Sequence, residues 1–128
     1  MRLLLDTNAL IWLLNDPQRL STSTADSIED DSTELWCSVV SVWEVAIRHG
    51  IGKLGLSAAR ALSGIQDTGA EVLALKPEHL LALQGLPRVE RHNDPFDHIM
   101  LAQAMHEGLT LVTSDRRLAE YGIPILAA

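Results

Sequence analysis

The chain has 128 residues, 47% of them hydrophobic, which is enough apolar material for one domain with an ordinary core. Its 10 Lys and Arg residues are outnumbered by 17 Asp and Glu residues, and the formal net charge is −7. This charge argues against passive, charge-driven binding to duplex DNA or to an anionic membrane. Three Trp, one Tyr and one Phe are too few for the base-stacking platforms of single-strand-binding modules.

The N-terminus and the single cysteine indicate the compartment. The leucine run at residues 3–5 is cut by Asp6, so it lacks the apolar length of a signal peptide or a membrane span. Cys37 cannot form an internal disulfide, and its apolar neighbours predict a buried thiol. We therefore expect an unprocessed cytoplasmic protein with no membrane association.

Strand and helix patterns alternate along the chain. The run at residues 3–5 is typical of a strand buried on both faces, and we expect it at the centre of a sheet. Further strands are predicted at 35–38, 72–75, 110–113 and 125–126, the last at an edge. Helices are predicted at 9–14, 23–31, 42–49, 57–68, 77–84, 96–107 and 116–121.

Local signals set several of these boundaries. Ser41 is the predicted N-cap of the third helix, and Gly50 is predicted to end it in the left-handed conformation. Gly69 and Gly108 are predicted to end two later helices. Taken together, the alternation predicts an α/β fold with three α/β/α layers and a mostly parallel central sheet. In such folds the functional site lies beyond the carboxyl ends of the strands.

Two acids follow predicted strands directly. Asp6 follows the first strand and Asp115 follows the fourth, which would place both carboxylates at the same edge of the sheet. Each also has a local interpretation, because Asp6 could form an Asx turn or cap the next helix and Asp115 could cap the last one.

Two further acids lie near predicted helix starts. In the sequence Asp-Pro-Phe-Asp, Asp94 is the predicted N-cap, whereas Asp97 at the third helical position is a candidate catalytic residue. Glu44 fits a capping box with Ser41, but its neighbours are apolar, which favours a partly buried cleft instead.

Asp6, Glu44, Asp97 and Asp115 are all hard oxygen donors, and no cysteine pair or histidine spacing beside them suits zinc. Oxygen ligands favour Mg²⁺ or Mn²⁺. If the four carboxylates converge, their repulsion would raise at least one pKa and destabilise the metal-free site. The metal would then stabilise the fold as well as serve catalysis.

Other signals in the sequence are weaker. Residues 50–55 match a dinucleotide-binding fingerprint but follow a helix, so we interpret them as a helix end and loop. The five histidines show no close paired-ligand spacing, and we interpret them as ordinary surface or semi-buried residues, with only His92 and His98, near the acids, as candidates for a further role. Basic residues near the predicted site segments are candidate phosphate contacts: Arg48, Lys53, Arg88, Arg91, Arg116 and Arg117.

Four motifs, Leu-Leu-Leu-Asp-Thr-Asn ending at residue 8, Ser-Val-Trp-Glu at 41–44, Asp-Pro-Phe-Asp-His at 94–98 and Thr-Ser-Asp at 113–115, together resemble the PIN domain. The resemblance spans essentially the whole chain and is closest to VapC-type toxins of bacterial type II toxin–antitoxin pairs. It implies that residues 1–128 form a single PIN domain. It also implies a Mg²⁺- or Mn²⁺-dependent endoribonuclease that hydrolyses RNA phosphodiester bonds with a metal-activated water.

The resemblance assigns the metal-binding and catalytic roles to Asp6, Glu44, Asp97 and Asp115, with Asn8 and Thr113 as supporting polar residues. It further implies a homodimer and a small VapB-type antitoxin that binds DNA through its own domain and blocks the toxin with a C-terminal tail. DNA would then be contacted only indirectly. We expect the loop at 86–93 to contribute to the choice of RNA.

Two other functions stay open at this point. A phosphatase that begins with Asp-x-Asp after its first strand is one, although Asn8 stands here in place of the second acid. A non-catalytic PIN-fold binding domain that acts through protein contacts is the other. Activity on small phosphomonoesters, or the absence of both nuclease activity and toxicity, would distinguish them.

Overall fold

The computed structural model describes residues 1–89 and 92–128. The strands are β1 (Arg2–Leu5), β2 (Glu34–Ser38), β3 (Glu71–Leu73), β4 (Thr110–Thr113) and β5 (Ile125–Ala127). The helices are α1 (Thr7–Asn15), α2 (Thr22–Glu29), α3 (Val39–Gly50), α4 (Ala58–Asp67), α5 (Pro77–Gln84) and α6 (Pro95–Glu107). Short 3-10 helices lie at Pro17–Arg19 and Arg116–Tyr121.

The five strands form one parallel sheet in the order β3-β2-β1-β4-β5. The central position predicted for the first strand is confirmed, as is β5 at the edge. From β1 the chain moves outward through β2 and β3, and it then returns to pair β4 with the other side of β1. This reversal places a crevice at the carboxyl ends of β1 and β4, where open α/β sheets hold their ligands.

The sheet is buried on both faces, which explains the continuous apolar run of β1. Leu3 and Leu5 pack into one core cluster with residues of α1, α3 and α4, whereas Leu4 packs into a second cluster built largely on α6. All three leucines are fully buried. The predicted three-layer α/β/α fold is therefore confirmed, and the two layers of helices fix the ends of β1 and β4 from either side.

The start and end of α3 differ from the prediction. The helix begins at Val39, and its N-cap is Ser38, whose Oγ accepts the Val40 N–H at 3.0 Å. The predicted cap at Ser41 was wrong, because this residue lies inside the first turn and its hydroxyl is used in tertiary contacts. The predicted left-handed glycine was also wrong, since the positive φ of 76° belongs to Gly52 and not to Gly50.

Several other boundaries follow the sequence closely. Asp94 is the N-cap of α6 with Pro95 in the first turn, and Gly108 ends that helix with a left-handed φ of 68°. Gly69 after α4 also has a positive φ. The last predicted short helix is a 3-10 helix, and the one at Pro17–Arg19 was not predicted.

The predicted loop at 86–93 is non-helical at 86–89 and 92–93, while residues 90 and 91 lie outside the described part of the chain. Residues 51–55 form turns after α3, in agreement with their interpretation as a helix end and loop.

Cys37 is buried, and burial raises the pKa of its thiol to about 12. Within residues 1–89 and 92–128, no helix has the length and apolar character needed to cross a membrane.

Candidate active site

Asp6 lies at the end of β1 and is both a helix cap and a buried acid. Its Oδ1 accepts the N–H of Ala9 at 2.8 Å, which makes Asp6 the N-cap of α1. The residue is only 5% exposed. Burial raises its pKa more strongly than the hydrogen bonds from Thr113 and Ala9 lower it, and Glu44 and Asp115 raise it further. Asp6 therefore both caps α1 and contributes a carboxylate to the candidate site.

Thr113, at the end of β4, connects Asp6 to Asp115. Its side chain is hydrogen-bonded to the carboxyl of Asp6, and its Oγ1 accepts the N–H of Asp115 at 3.1 Å. Thr113 is 2% exposed, so these two contacts satisfy a hydroxyl that has little access to water. The supporting position predicted for Thr113 thus lies between two of the acids.

Asp115 also caps the helix that follows it. Oδ1 accepts the backbone N–H of Arg117 at 3.0 Å, and the Arg117 guanidinium binds both carboxylate oxygens at 3.0 and 2.8 Å. This bidentate pairing with Arg117 holds the pKa of Asp115 below its ordinary value. Asp115 is therefore the acid of this group that already has a cationic partner.

An aromatic contact between α3 and α6 brings Glu44 and Asp97 to the same place. The rings of Trp43 and Phe96 meet edge to face with their centroids 4.9 Å apart. Each ring belongs to the residue directly before one of the acids. The contact therefore fixes the relative position of the two helix segments from which the carboxylates extend.

A buried hydroxyl joins the same helices to α1. Ser41 Oγ receives a hydrogen bond from Thr7 Oγ1 at 3.2 Å and contacts Met100 Sδ at 3.2 Å. Thr7 adjoins Asp6, and Met100 lies about one turn after Asp97. Ser41 is fully buried. Its hydroxyl contacts residues of two other helices and does not cap α3. Glu44 is therefore not a capping-box residue of this helix.

All four predicted acids line one cavity of about 230 Å³ at the carboxyl ends of β1 and β4. The complete lining is Asp6, Thr7, Asn8, Glu44, Asp94, Asp97, Ser114, Asp115 and Arg117. Asn8 is exposed at this cavity, and its Oδ1 lies 3.4 Å from a guanidinium nitrogen of Arg48. The structure thus brings the predicted quartet and Asn8 to one place.

The carboxylates repel one another in this cavity. Burial, followed by Asp94, Asp6, Glu44 and Asp115, raises the pKa of Asp97 to about 7. Asp94 was interpreted as structural, and its Oδ1 does accept the Phe96 N–H at 2.9 Å. It nevertheless adds its charge to the site.

Among the basic residues considered, Arg48 and Arg117 contact site residues, and Arg91 lies outside the described part of the chain. Arg117 lines the cavity, so it is the candidate best placed to meet a phosphate. Its pairing with Asp115 orients the guanidinium toward the acids.

His92 is a site residue that the motifs did not assign. Its ring is 3% exposed, and Nε2 lies 3.3 Å from Asp97 Oδ2 and 3.7 Å from Asp115 Oδ2. Nδ1 lies 2.9 Å from the hydroxyl of Tyr121. Burial and then His98 lower the pKa of His92. Proximity in sequence to Asp94 was the only available signal, and it does not show where the ring points.

Comparison with known proteins agrees with this geometry. Residues 3–124 match the PIN domain family. This chain belongs to the PIN-domain family. It is a VapC-type member, since it is 32% identical over 123 residues to Ribonuclease VapC22 of Mycobacterium tuberculosis, covering 94% of this chain and 92% of that protein.

Solved structures show the same PIN fold. The VapBC2 complex of Rickettsia felis bound to a promoter DNA fragment contains a chain with a TM-score of 0.73 and 16% identity, covering 98% of both chains. A DNA-bound VapBC of Salmonella typhimurium gives a TM-score of 0.67 at 21% identity, covering 98% of this chain and 97% of that one.

The donor set of this PIN domain fits a divalent cation. The quartet offers only oxygen ligands, which Mg²⁺ and Mn²⁺ prefer. Burial is the main cause of the raised pKa values of Asp6 and Asp97, and neighbouring carboxylates raise both further. His92, Asp97 and Asp115 each place one potential ligand atom within 4.8 Å of the others. A bound cation would relieve the repulsion that the protein alone leaves in place.

Proposed function

We propose that this PIN domain is the toxin of a type II toxin–antitoxin pair and acts as a divalent-metal-dependent endoribonuclease. The observation that carries the proposal is the convergence of four carboxylates from β1, α3, α6 and β4 on one cavity. The similarity to a protein named as a ribonuclease over 94% of the chain supports RNA as the substrate.

Asp6, Glu44, Asp97 and Asp115 would hold Mg²⁺ or Mn²⁺. When bound, such a cation supplies Lewis-acid polarisation of the phosphate and activation of the attacking water. Asp6 is fixed for this role by its capping bond to Ala9 and by Thr113. Asn8 lies at the rim, where its amide can contact the substrate or a water.

Arg117 supplies positive charge at the edge of an otherwise negative cavity. The guanidinium is paired with Asp115 and is largely exposed, so its outer N–H groups can meet a phosphate oxygen of the RNA. In the hydrolysis itself, the water oxygen forms a bond to phosphorus while a bond from phosphorus to a ribose oxygen breaks. No covalent bond to the protein is required.

We also propose a VapB-type antitoxin as the partner and a homodimer as the working form, both in the cytoplasm. Structures with the same fold include VapBC complexes, two of them bound to DNA. The net charge of −7 on this chain argues against its own direct contact with DNA. DNA binding would therefore belong to the antitoxin.

The test is incubation of the purified, antitoxin-free chain with total RNA, with and without Mg²⁺ or Mn²⁺, beside Asp6→Asn. Asp67→Asn is the matched control, because Asp67 is exposed on α4 and does not line the cavity. Metal-dependent cleavage that is lost in Asp6→Asn and kept in Asp67→Asn supports the proposal.

Cleavage that persists in Asp6→Asn would contradict the assignment of the site. A failure to cleave RNA with either metal, together with no growth arrest on expression, would favour the non-catalytic binding domain. Hydrolysis of small phosphomonoesters without RNA cleavage would favour the phosphatase.

A further inference from the structure

His92 lies between the acid cavity and a buried aromatic group. It comes directly before the turn into α6, whereas Tyr121 lies at the end of the 3-10 helix that begins after Asp115. The ring reaches in two directions, with Nδ1 2.9 Å from the Tyr121 hydroxyl and Nε2 3.3 Å from Asp97 Oδ2. It therefore connects an acid on α6 with the segment that carries Asp115.

The neighbouring hydrogen bonds determine which nitrogen of His92 carries the proton. His98 Nε2 lies 3.0 Å from the carbonyl oxygen of His92, which can only accept, so His98 carries its proton there. The same N–H lies 3.1 Å from the oxygen of Tyr121, which leaves the tyrosine proton free to point elsewhere. Nδ1 of His92 lies 2.9 Å from that hydroxyl and 3.3 Å from the same His98 nitrogen, so a hydrogen on Nδ1 would face the His98 N–H, whereas a lone pair there can accept the tyrosine proton.

A neutral imidazole that accepts at Nδ1 carries its hydrogen on Nε2. That N–H points at Asp97 Oδ2, and an ionised carboxylate can only accept. The opposite tautomer would place the lone pair of Nε2 against the oxygens of Asp97 and Asp115. With Asp97 ionised, the chain of donors therefore runs from Tyr121 through His92 to Asp97.

We propose that His92 is the positioning residue of the metal site: its Nε2–H holds the Asp97 carboxylate in place for the cation, and the ring itself does not coordinate the metal. The inference rests on the proposed function, since it presumes a divalent cation at the acids. Coordination through Nε2 would require the ring proton to move to Nδ1 and Tyr121 to give up its role as donor.

A neutral donor suits this position for an electrostatic reason. Asp97 faces Asp94, Asp6, Glu44 and Asp115, so an unrestrained carboxylate would turn away from the cavity. A cation such as an arginine would hold it but would also neutralise part of the charge that attracts the metal. The N–H of a neutral imidazole holds the carboxylate and leaves its charge available. Outer partners of this kind commonly govern metal affinity.

The test measures Mn²⁺ affinity of the purified chain by calorimetry and by the electron paramagnetic resonance signal of bound Mn²⁺. His92→Phe removes the donor and keeps a ring, His92→Gln keeps an N–H donor, and Tyr121→Phe removes only the hydroxyl. His106→Gln is the control, because His106 is exposed at the far end of α6.

We expect His92→Phe to weaken Mn²⁺ binding about 10- to 100-fold. Tyr121→Phe should weaken it less, His92→Gln should recover part of the affinity, and the control should match the wild type. Pulsed spectroscopy of bound Mn²⁺ should show no strong coupling to a directly coordinated imidazole nitrogen. Imidazole ¹⁵N shifts of the loaded wild type should identify His92 as protonated on Nε2.

Unchanged affinity in a folded His92→Phe protein, or nitrogen coordination to Mn²⁺, would overturn the inference while leaving the ribonuclease proposal intact. A wild type that binds no Mn²⁺ would overturn both. Should His92→Phe fail to fold, Tyr121→Phe and the smaller His92→Ala variant decide, because wild-type Mn²⁺ affinity in both folded variants would refute the donor chain.

Discussion

Two buried histidines in this molecule face carboxylates in nearly the same way, at opposite ends of α6. Both Nδ1 atoms are hydrogen-bonded, that of His79 to the N–H of Lys76 at 3.0 Å and that of His92 to the Tyr121 hydroxyl at 2.9 Å. Both Nε2 atoms face an acid, Glu107 at 3.0 Å and Asp97 at 3.3 Å.

The two acids nevertheless have opposite electrostatics. The hydrogen bond from His79 and the charge of Lys76, whose Nζ lies 3.6 Å from the carboxylate, lower the pKa of Glu107. Burial and surrounding carboxylates raise the pKa of Asp97 to about 7. Similar ring geometry therefore accompanies a charge-balanced contact at Glu107 and an excess of negative charge around Asp97. The charged groups around each pair therefore distinguish a structural contact at His79 and Glu107 from a candidate cation site at His92 and Asp97.

The largest expected effect is a difference in RNA cleavage between variants of Asp97 and Glu107. Asp97→Asn should reduce metal-dependent RNA cleavage by about 100- to 1000-fold, because it removes a charged group from the reacting centre. Glu107→Gln should leave cleavage within about twofold, since Glu107 lies outside the cavity. The measurement is the initial rate on one RNA at saturating Mg²⁺. Equal losses in both variants would refute the functional distinction.

The second expected effect is a loss of stability on removal of the His79 ring, which lies at the Glu107 end of α6. His79 is fully buried and also lies 3.5 Å from the amide nitrogen of Gln103, so His79→Ala leaves a cavity and unpaired polar groups. We expect a loss of about 3 kcal/mol in the free energy of unfolding, measured by urea denaturation. Cleavage per folded molecule should be unchanged. A loss below about 1 kcal/mol would show that this contact is not structural.

A third prediction concerns pH and Asp97. The pKa of about 7 in the folded chain lies above the ordinary value of 3.8, so the folded state holds this proton more tightly than the unfolded state. The contribution of Asp97 to the stability of the metal-free chain should therefore fall as pH rises from about 4 to about 7. Asp97→Asn should be more stable than the wild type by about 2 kcal/mol at pH 8 and equal to it below pH 4.

Thermal unfolding without metal, at several pH values, measures this difference. Mg²⁺ should stabilise the wild type at pH 8 but have much less effect on Asp97→Asn, because the cation binds the folded form. A wild type that gains stability between pH 4 and pH 7 relative to the variant would contradict the assigned direction.

The smallest effect has the opposite sign. Because the pKa of Glu107 is lowered, its contribution to stability is present above its ordinary value of 4.5 and is lost as pH falls below it. Glu107→Gln should destabilise the chain by no more than about 1 kcal/mol at pH 7. The difference should vanish near pH 3 in the same unfolding assay. A stabilising effect at pH 7 would place Glu107 in the same class as Asp97.

The sequence alone determined most of the secondary structure and the four acids. Leu3 to Leu5 predict a central strand because a parallel strand buried on both faces must be apolar throughout. Pro95 after Asp94 predicts the start of α6 because a missing N–H is harmless in a first helical turn. Asp6 and Asp115 follow strands, and parallel strands align their carboxyl ends, so their meeting could also be predicted.

Only the tertiary structure decided the start of α3 and the role of Ser41. Ser38 and Ser41 both precede helical sequence, and local capping patterns do not distinguish them. The choice depends on Thr7 and Met100, which bury the Ser41 hydroxyl from two distant helices. Contacts of this kind have no local signal, because they arise only when separate elements pack.

The same reason applies to the two histidines. His79 and His92 are both single histidines in their segments, and nothing in their neighbouring residues shows that one meets Glu107 and the other Asp97. Spacing along the chain fixes which backbone segments form. The direction of a ring and the charges around it are set by side chains far apart in sequence, and here they distinguish a structural contact from the proposed metal site.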